Sequence, residues 1–235
     1  MKNFILASTS TVFGGEYLEY ILPELELLFD KCDEIIFIPY ARPGGVSHDN
    51  YTAKAATAFM KIGKKIKGLH EFENAKDAIL SAEGIFTGGG NTFLLATKLY
   101  ENDVMESLRS VLNSGIPYLG TSAGSNIAGI SMKTTNDMPI IHPPSFETLG
   151  LIPYNINPHF IDAEGGKEHM GETRETRINE FHTLNSEPVI GLREGSWIRV
   201  KGKENILKGK LTARLFKKDQ NAVEIETETD LSKLR

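Results

Sequence analysis

Leu119-Gly120-Thr121-Ser122-Ala123-Gly124-Ser125-Asn126 holds Gly-x-Ser-x-Gly directly after one predicted strand and before a predicted helix. Small residues flanking the serine let the backbone turn tightly and lift the hydroxyl above the sheet. The following helix aims its free N–H groups and its dipole at the same spot, which suits a developing oxyanion. A glycine-rich turn with an idle serine has the same pentapeptide, and the strand–turn–helix setting favours the nucleophile elbow. Outward from this turn, short apolar runs alternate with amphipathic ones. Phe4 to Ala7, Glu34 to Pro39, Ile66 to Leu69, Gly84 to Phe86 and Ile116 to Leu119 read as buried strands. Glu16 to Asp30, Asn50 to Ile62, Asn91 to Tyr100 and Val104 to Leu112 read as helices, the first kinked or split at Pro23. This alternation predicts α/β architecture: a mostly parallel sheet with helices on both faces.

Past residue 186 the texture changes. Pro188 to Leu192, Ser196 to Val200, Asn205 to Leu207 and Thr212 to Phe216 are short strand candidates separated by tight polar turns. They predict an antiparallel extension of the same sheet within a single domain over 1–235, with a polar end from Glu226 to Arg235 that frays. Hydrophobic residues make up 40% and charged residues 24% of the chain, which excludes disordered, collagenous and disulfide-rich classes. The net charge of −5, from 26 basic and 31 acidic residues, argues against nucleic acid or an anionic membrane surface as partner. An acidic ligand must then be captured by local positive charge. The single cysteine, Cys32, and the absence of a long apolar run fit a cytoplasmic location.

A second glycine cluster, Thr87-Gly88-Gly89-Gly90-Asn91, also closes a strand and opens a helix. Its bare amides can act with the Ala123 N–H as an oxyanion hole, or they can cradle a phosphate. The cluster lacks a P-loop lysine and Gly-x-Gly-x-x-Gly spacing, which favours the first reading. A serine needs a base. Of six histidines, His70 follows an apolar strand run and His182 sits in a polar helix, where both read as structural or solvated. His159, in Asn157-Pro158-His159-Phe160, follows a strand-like run and becomes the base. Two acids compete to orient it. Asp137 lies in a turn-prone loop, where it could also cap the backbone, and Glu194 lies at a hairpin turn. The order of residues along the chain does not decide between them.

Taken together, these segments resemble the peptidase E family of serine peptidases, the α-aspartyl dipeptidases. The likeness runs through Phe37-Ile38-Pro39-Tyr40-Ala41, Gly88-Gly89-Gly90-Asn91-Thr92-Phe93, Gly120-Thr121-Ser122-Ala123-Gly124 and Asn136-Asp137-Met138-Pro139-Ile140. It continues in Ile156-Asn157-Pro158-His159-Phe160, Gly171-Glu172-Thr173-Arg174-Glu175 and Val189-Ile190-Gly191-Leu192 with Glu194-Gly195, up to about residue 200. The resemblance implies a three-layer α/β/α fold like the class I glutamine amidotransferases, of flavodoxin-like type. It also implies hydrolysis of dipeptides beginning with aspartate, with no metal or other cofactor. Ser122 and His159 match the family's nucleophile and base, and Asp137 and Glu194 match the two acids considered for the third role. Ala163 to Met170 is less like the family and could alter the rim of the substrate site.

A substrate with an N-terminal aspartate presents an ammonium beside a carboxylate, so the site needs a cation and an anion close together. Glu172, Arg174 and Arg177 supply both, with Arg174 as carboxylate anchor and Glu172 as ammonium partner. The competing reading is an exposed helix turn with ordinary ion pairs such as Arg177 with Glu180. Tyr51, Thr52 and Lys54 are weaker candidates. The chain is expected to act as a monomer or small homo-oligomer on a small acidic dipeptide. The rival readings are a cyanophycinase-like β-aspartyl hydrolase and a non-catalytic anion- or nucleotide-binding module.

Overall fold

The computed structural model describes residues 1–162 and 171–234. Five parallel strands, β1 (Asn3–Ala7), β2 (Glu34–Ile38), β3 (Lys65–Gly68), β4 (Ile85–Thr87) and β5 (Tyr118–Thr121), form most of a seven-stranded sheet. The sheet order is β3-β2-β4-β5-β1-β8-β9. Its last two members, β8 (Ser196–Lys201) and β9 (Glu204–Gly209), run antiparallel to their neighbours.

Because side chains alternate along a strand, one run of apolar residues supplies two cores. Phe4, Leu6, Ile36, Ile38, Ile85 and Tyr118 pack against α3 (Ala75–Leu80), α4 (Thr92–Glu101) and α5 (Met105–Ser114). Ile5, Ala7, Ile35, Phe37, Phe86 and Leu119 point to the opposite face, against α1 (Leu22–Leu28) and α2 (His48–Met60). The outcome is the expected three-layer α/β/α sandwich. Pro23 sits in the first turn of α1, after a 3-10 turn at Glu19–Ile21, so the long Glu16 to Asp30 pattern is split there.

The C-terminal third differs from expectation in two ways. Only β8 and β9 extend the main sheet. A separate four-stranded sheet has the order β11-β10-β7-β6, with β6 (Asn155–Pro158), β7 (Val189–Leu192), β10 (Ala213–Phe216) and β11 (Val223–Ile225). In it β6 and β7 are parallel, while β10 runs antiparallel to both of its neighbours, β7 and β11. The reason lies in burial. Ile156, Ile190, Leu192, Ala213 and Leu215 turn into the core beside α4 and α5 and cover that face of the molecule; they do not lengthen the sheet edge.

The chain end also departs from the expected fraying. Leu231 is buried, its N–H donates to the Asn205 carbonyl at 2.7 Å, and Asp230 bridges to Ile206. One buried leucine and a sheet-edge bond hold a segment whose composition is otherwise polar.

Candidate active site

Ser122 follows β5 with φ 53° and ψ −111°, a positive φ that is rare for a residue bearing a side chain. Such a backbone costs about 1–3 kcal/mol and is held by its surroundings. Its N–H donates to the Ala7 carbonyl at 3.1 Å, and its carbonyl accepts from Ser125 and Asn126 N–H at 2.9 Å. The flanking glycines are required by space. A Cβ on Gly120 would stand 2.5 Å from the Gly124 carbonyl oxygen, and one on Gly124 would stand 2.3 Å from that of Thr87. The helix behind the serine, α6 (Ala123–Asn126), is a single turn. The expected dipole of a longer helix therefore reduces to the individual N–H groups at its start.

His159 also has a positive φ, 52°, directly after β6. Its N–H donates to Ser8 Oγ at 2.9 Å, and that hydroxyl donates to the Leu192 carbonyl at 2.7 Å. Ser8 thus ties the end of β1 to the last residue of β7 and to the residue that follows β6. The sequence reading missed it; its signal was a small polar residue just past the end of a parallel strand, where α/β sites collect. With its ring so placed, His159 Nε2 lies 2.8 Å from Ser122 Oγ and Nδ1 lies 2.6 Å from Glu194 Oε1. A carboxylate at Nδ1 requires the proton on that nitrogen and leaves the Nε2 lone pair facing the serine. The three side chains form one hydrogen-bonded series, with Glu194 48% exposed at its outer end.

Asp137 lies elsewhere. Its Oδ2 accepts from Thr92 N–H and Thr92 Oγ1, both at 2.7 Å, and from Thr135 Oγ1 at 2.9 Å. The carboxylate caps the start of α4 and, among the described residues, makes no hydrogen bond to His159.

The glycine cluster stands against the serine. A Cβ on Gly89 would come within 2.9 Å of Ser122 Cβ, so only glycine fits. The Gly88 N–H is already committed to the Ile38 carbonyl at 3.2 Å, and Asn91 N–H to that of Ala41 at 2.7 Å. Among the described residues the Gly89 and Gly90 amides have no acceptor, so the loop offers these two and not Gly88.

The charged candidates separate. Arg174 opens α7 (Arg174–Leu184), whose N-cap Thr173 accepts from Thr176 N–H at 3.0 Å. Arg174 is half-buried; burial and then Arg177 lower its pKa, while Asp137 opposes them. Arg174 makes no ion pair among the described residues. Arg177 is exposed and pairs with Glu172 at 3.6 Å, not with Glu180. Tyr51 and Thr52 are buried, and Lys54 Nζ lies 4.8 Å from the centre of the Tyr17 ring. His182 is buried with Nε2 3.0 Å from the Glu187 carbonyl, and His70 pairs with Asp49 at 2.8 Å. Ala163 to Met170 lies outside the described residues.

A serine hydroxyl, an imidazole and a carboxylate in series beside unclaimed amides, at the ends of parallel strands, make up a serine-hydrolase type of arrangement. Residues 4–208 match the model of peptidase family S51, and the chain belongs to that family. It is 44% identical to a Streptomyces coelicolor protein named peptidase E over 99% of this chain and 94% of that one. It is likewise 44% identical to a Drosophila melanogaster protein named "probable alpha-aspartyl dipeptidase", over 98% and 96% of the two chains. The fold matches a crystal structure of a peptidase from an acI-B1 actinobacterium, with a TM-score of 0.72 and 15% identity over 98% of this chain and 96% of that one. The protein is therefore a peptidase, as the resemblance implied. Among the described residues no helix is long and apolar enough to cross a membrane.

Proposed function

We propose that this peptidase is a serine-type dipeptidase that hydrolyses Asp-Xaa dipeptides through an acyl-enzyme on Ser122. The observation that carries the reading is the continuous series from Ser122 Oγ through His159 to Glu194, at 2.8 and 2.6 Å. His159 Nε2 takes the hydroxyl proton as Ser122 Oγ bonds to the carbonyl carbon that follows the substrate aspartate. Glu194 stabilises the imidazolium and holds its tautomer. The oxyanion is met by the Ala123 N–H and by the Gly89–Gly90 loop, each donor being worth ~3 kcal/mol in the transition state. His159 then protonates the leaving amine as the C–N bond breaks. Water attacks the ester with His159 again as base, releasing aspartate and restoring the serine.

The geometry supports Glu194 in the third role, while Asp137 serves the substrate side. Arg174 is the anchor for the side-chain carboxylate of the substrate. Asp137 takes the role of ammonium partner in place of Glu172, which is engaged with Arg177. The names of the relatives support the choice of an α-aspartyl substrate. The buried thiol of Cys32, bonded to the Glu83 carbonyl at 3.1 Å, suits a reducing cytoplasm.

The test is release of free amino acids from α-Asp-Leu, with β-Asp-Leu, Glu-Leu and Ala-Leu alongside, in EDTA and with Ser122→Ala. Selective cleavage of α-Asp-Leu, indifferent to EDTA and at least ~10⁴-fold slower in Ser122→Ala, is expected. Cleavage of β-Asp-Leu alone would keep the serine chemistry and replace the substrate. Full turnover by Ser122→Ala would overturn the mechanism.

A further inference from the structure

The peptide unit between Gly89 and Gly90 is the most mobile link of the crevice by composition, because neither residue has a Cβ to restrict it. Both ends of the loop are clamped, by Gly88 N–H on the Ile38 carbonyl and by Asn91 N–H on that of Ala41. The unit between them has no backbone bond of this kind. What holds it is a side chain: the Tyr51 hydroxyl donates to the Gly89 carbonyl at 3.1 Å.

Tyr51 is itself rigid. It is 2% exposed on α2, with the Phe37 ring edge-on at 4.9 Å and the Tyr17 ring edge-on at 6.4 Å. The Arg42 guanidinium lies 4.9 Å from the centre of its ring. Tyr51 and Ser122 both stand against the loop. A Cβ on Gly88 would stand 2.6 Å from the Tyr51 oxygen, whereas one on Gly89 would stand 2.9 Å from Ser122 Cβ. In a trans peptide the C=O and N–H point in opposite directions. Drawing the Gly89 carbonyl toward Tyr51 therefore fixes the Gly90 N–H to point away from Tyr51.

We infer that Tyr51 is a positioning residue for the hydrolysis: its hydroxyl locks the Gly89–Gly90 peptide so that the Gly90 N–H, and not that of Gly88, faces the substrate carbonyl oxygen at Ser122. The inference rests on the dipeptidase reading for its substrate, but not for its geometry.

Tyr51→Phe keeps the ring and its packing and removes the bond. A misaimed oxyanion donor acts on the transition state, so kcat for Asp-Leu should fall about 10- to 100-fold with KM unchanged. The thermal midpoint should stay near that of the parent. A kcat equal to the parent's in Tyr51→Phe would overturn the inference. So would a loss that tracks a lowered midpoint, since that marks a packing role. If the parent protein cleaves no aspartyl dipeptide, the dipeptidase reading is what fails. The Tyr51 question is then read from acylation of Ser122 by p-nitrophenyl acetate: slower acylation in Tyr51→Phe supports the lock, and an equal rate removes it.

Discussion

The two sheets contribute unequally to the site. The large sheet carries Ser122 at the end of β5 and the Gly89–Gly90 loop after β4, on strands whose apolar runs are plain. The small sheet brings His159 at the end of β6, and Glu194 stands at the turn where the chain leaves β7 and enters the large sheet as β8. The proposed nucleophile and its donors thus come from one layer system, while the proposed base and its acid come from the seam. Ser8 stitches that seam, as does Asn126 Nδ2, which donates to the Ile156 carbonyl at 2.7 Å. Local sequence builds the turn at Ser122; only the docking of the sheets completes the hydrogen-bonded series from Ser122 to Glu194.

The comparison breaks most sharply at the two acids. Glu194→Gln should lower kcat about 10³- to 10⁴-fold, because an amide at Nδ1 no longer holds the imidazolium. Asp137→Asn should leave kcat within about tenfold of the parent while raising KM. Steady-state kinetics on Asp-Leu decides, and the reverse pattern would move the third role to Asp137.

Next in size, Arg174→Ala should raise KM for Asp-Leu about 10- to 100-fold, the loss expected for one charged hydrogen bond. An unchanged KM would take the carboxylate anchor away from this helix. At the seam, Ser8→Ala leaves the His159 N–H and the Leu192 carbonyl each short of a partner. Denaturant unfolding should show a loss of about 1–3 kcal/mol, and kcat should fall several-fold as His159 loosens. Wild-type stability in that variant would mean that the seam is held elsewhere.

The smallest effect concerns the outer strands of the small sheet. Arg193, next to Glu194, pairs with Asp162 at 2.7 Å and Glu224 at 2.9 Å. The Glu224 carboxyl is held down at about 2, against an ordinary value of 4.5, by its bonds to Arg193, then to Thr212 and Arg214. The unfolded chain therefore takes up this proton first. The contribution of Glu224 is fully present above pH 4.5 and is lost as pH falls from there toward about 2. Glu224→Gln should flatten the acid limb of the thermal midpoint while leaving the neutral limb nearly unchanged. An acid limb identical to the parent's would place the sensitivity at another carboxylate.

Much of the large sheet was legible because its strands are buried on both faces and read as unbroken apolar runs. Strand β6 is as buried but reads Asn155-Ile156-Asn157-Pro158. Its amides replace apolar packing with bonds, Asn155 with Ser131 and Asn157 with the Thr134 carbonyl and Asn136. A polar strand bonded through its side-chain amides carries no hydrophobic period, so the second sheet is not legible, and β7 and β10 read as part of the first. The polar chain end misled in the same way, since one buried leucine and edge bonds to β9 anchor it.

By itself the sequence determined the elbow at Ser122 and the bare amides beside it. Those depend on positive φ and on the absence of Cβ atoms, properties of single residues and their immediate neighbours. It also narrowed the base to His159 and the acid to two candidates. The tertiary structure decided which acid meets the imidazole, a contact between residues 35 positions apart that exists only where the two sheets join. It also decided which amides of the glycine loop remain free. Hydrogen-bond partners are assigned by position in space, and no local pattern records them.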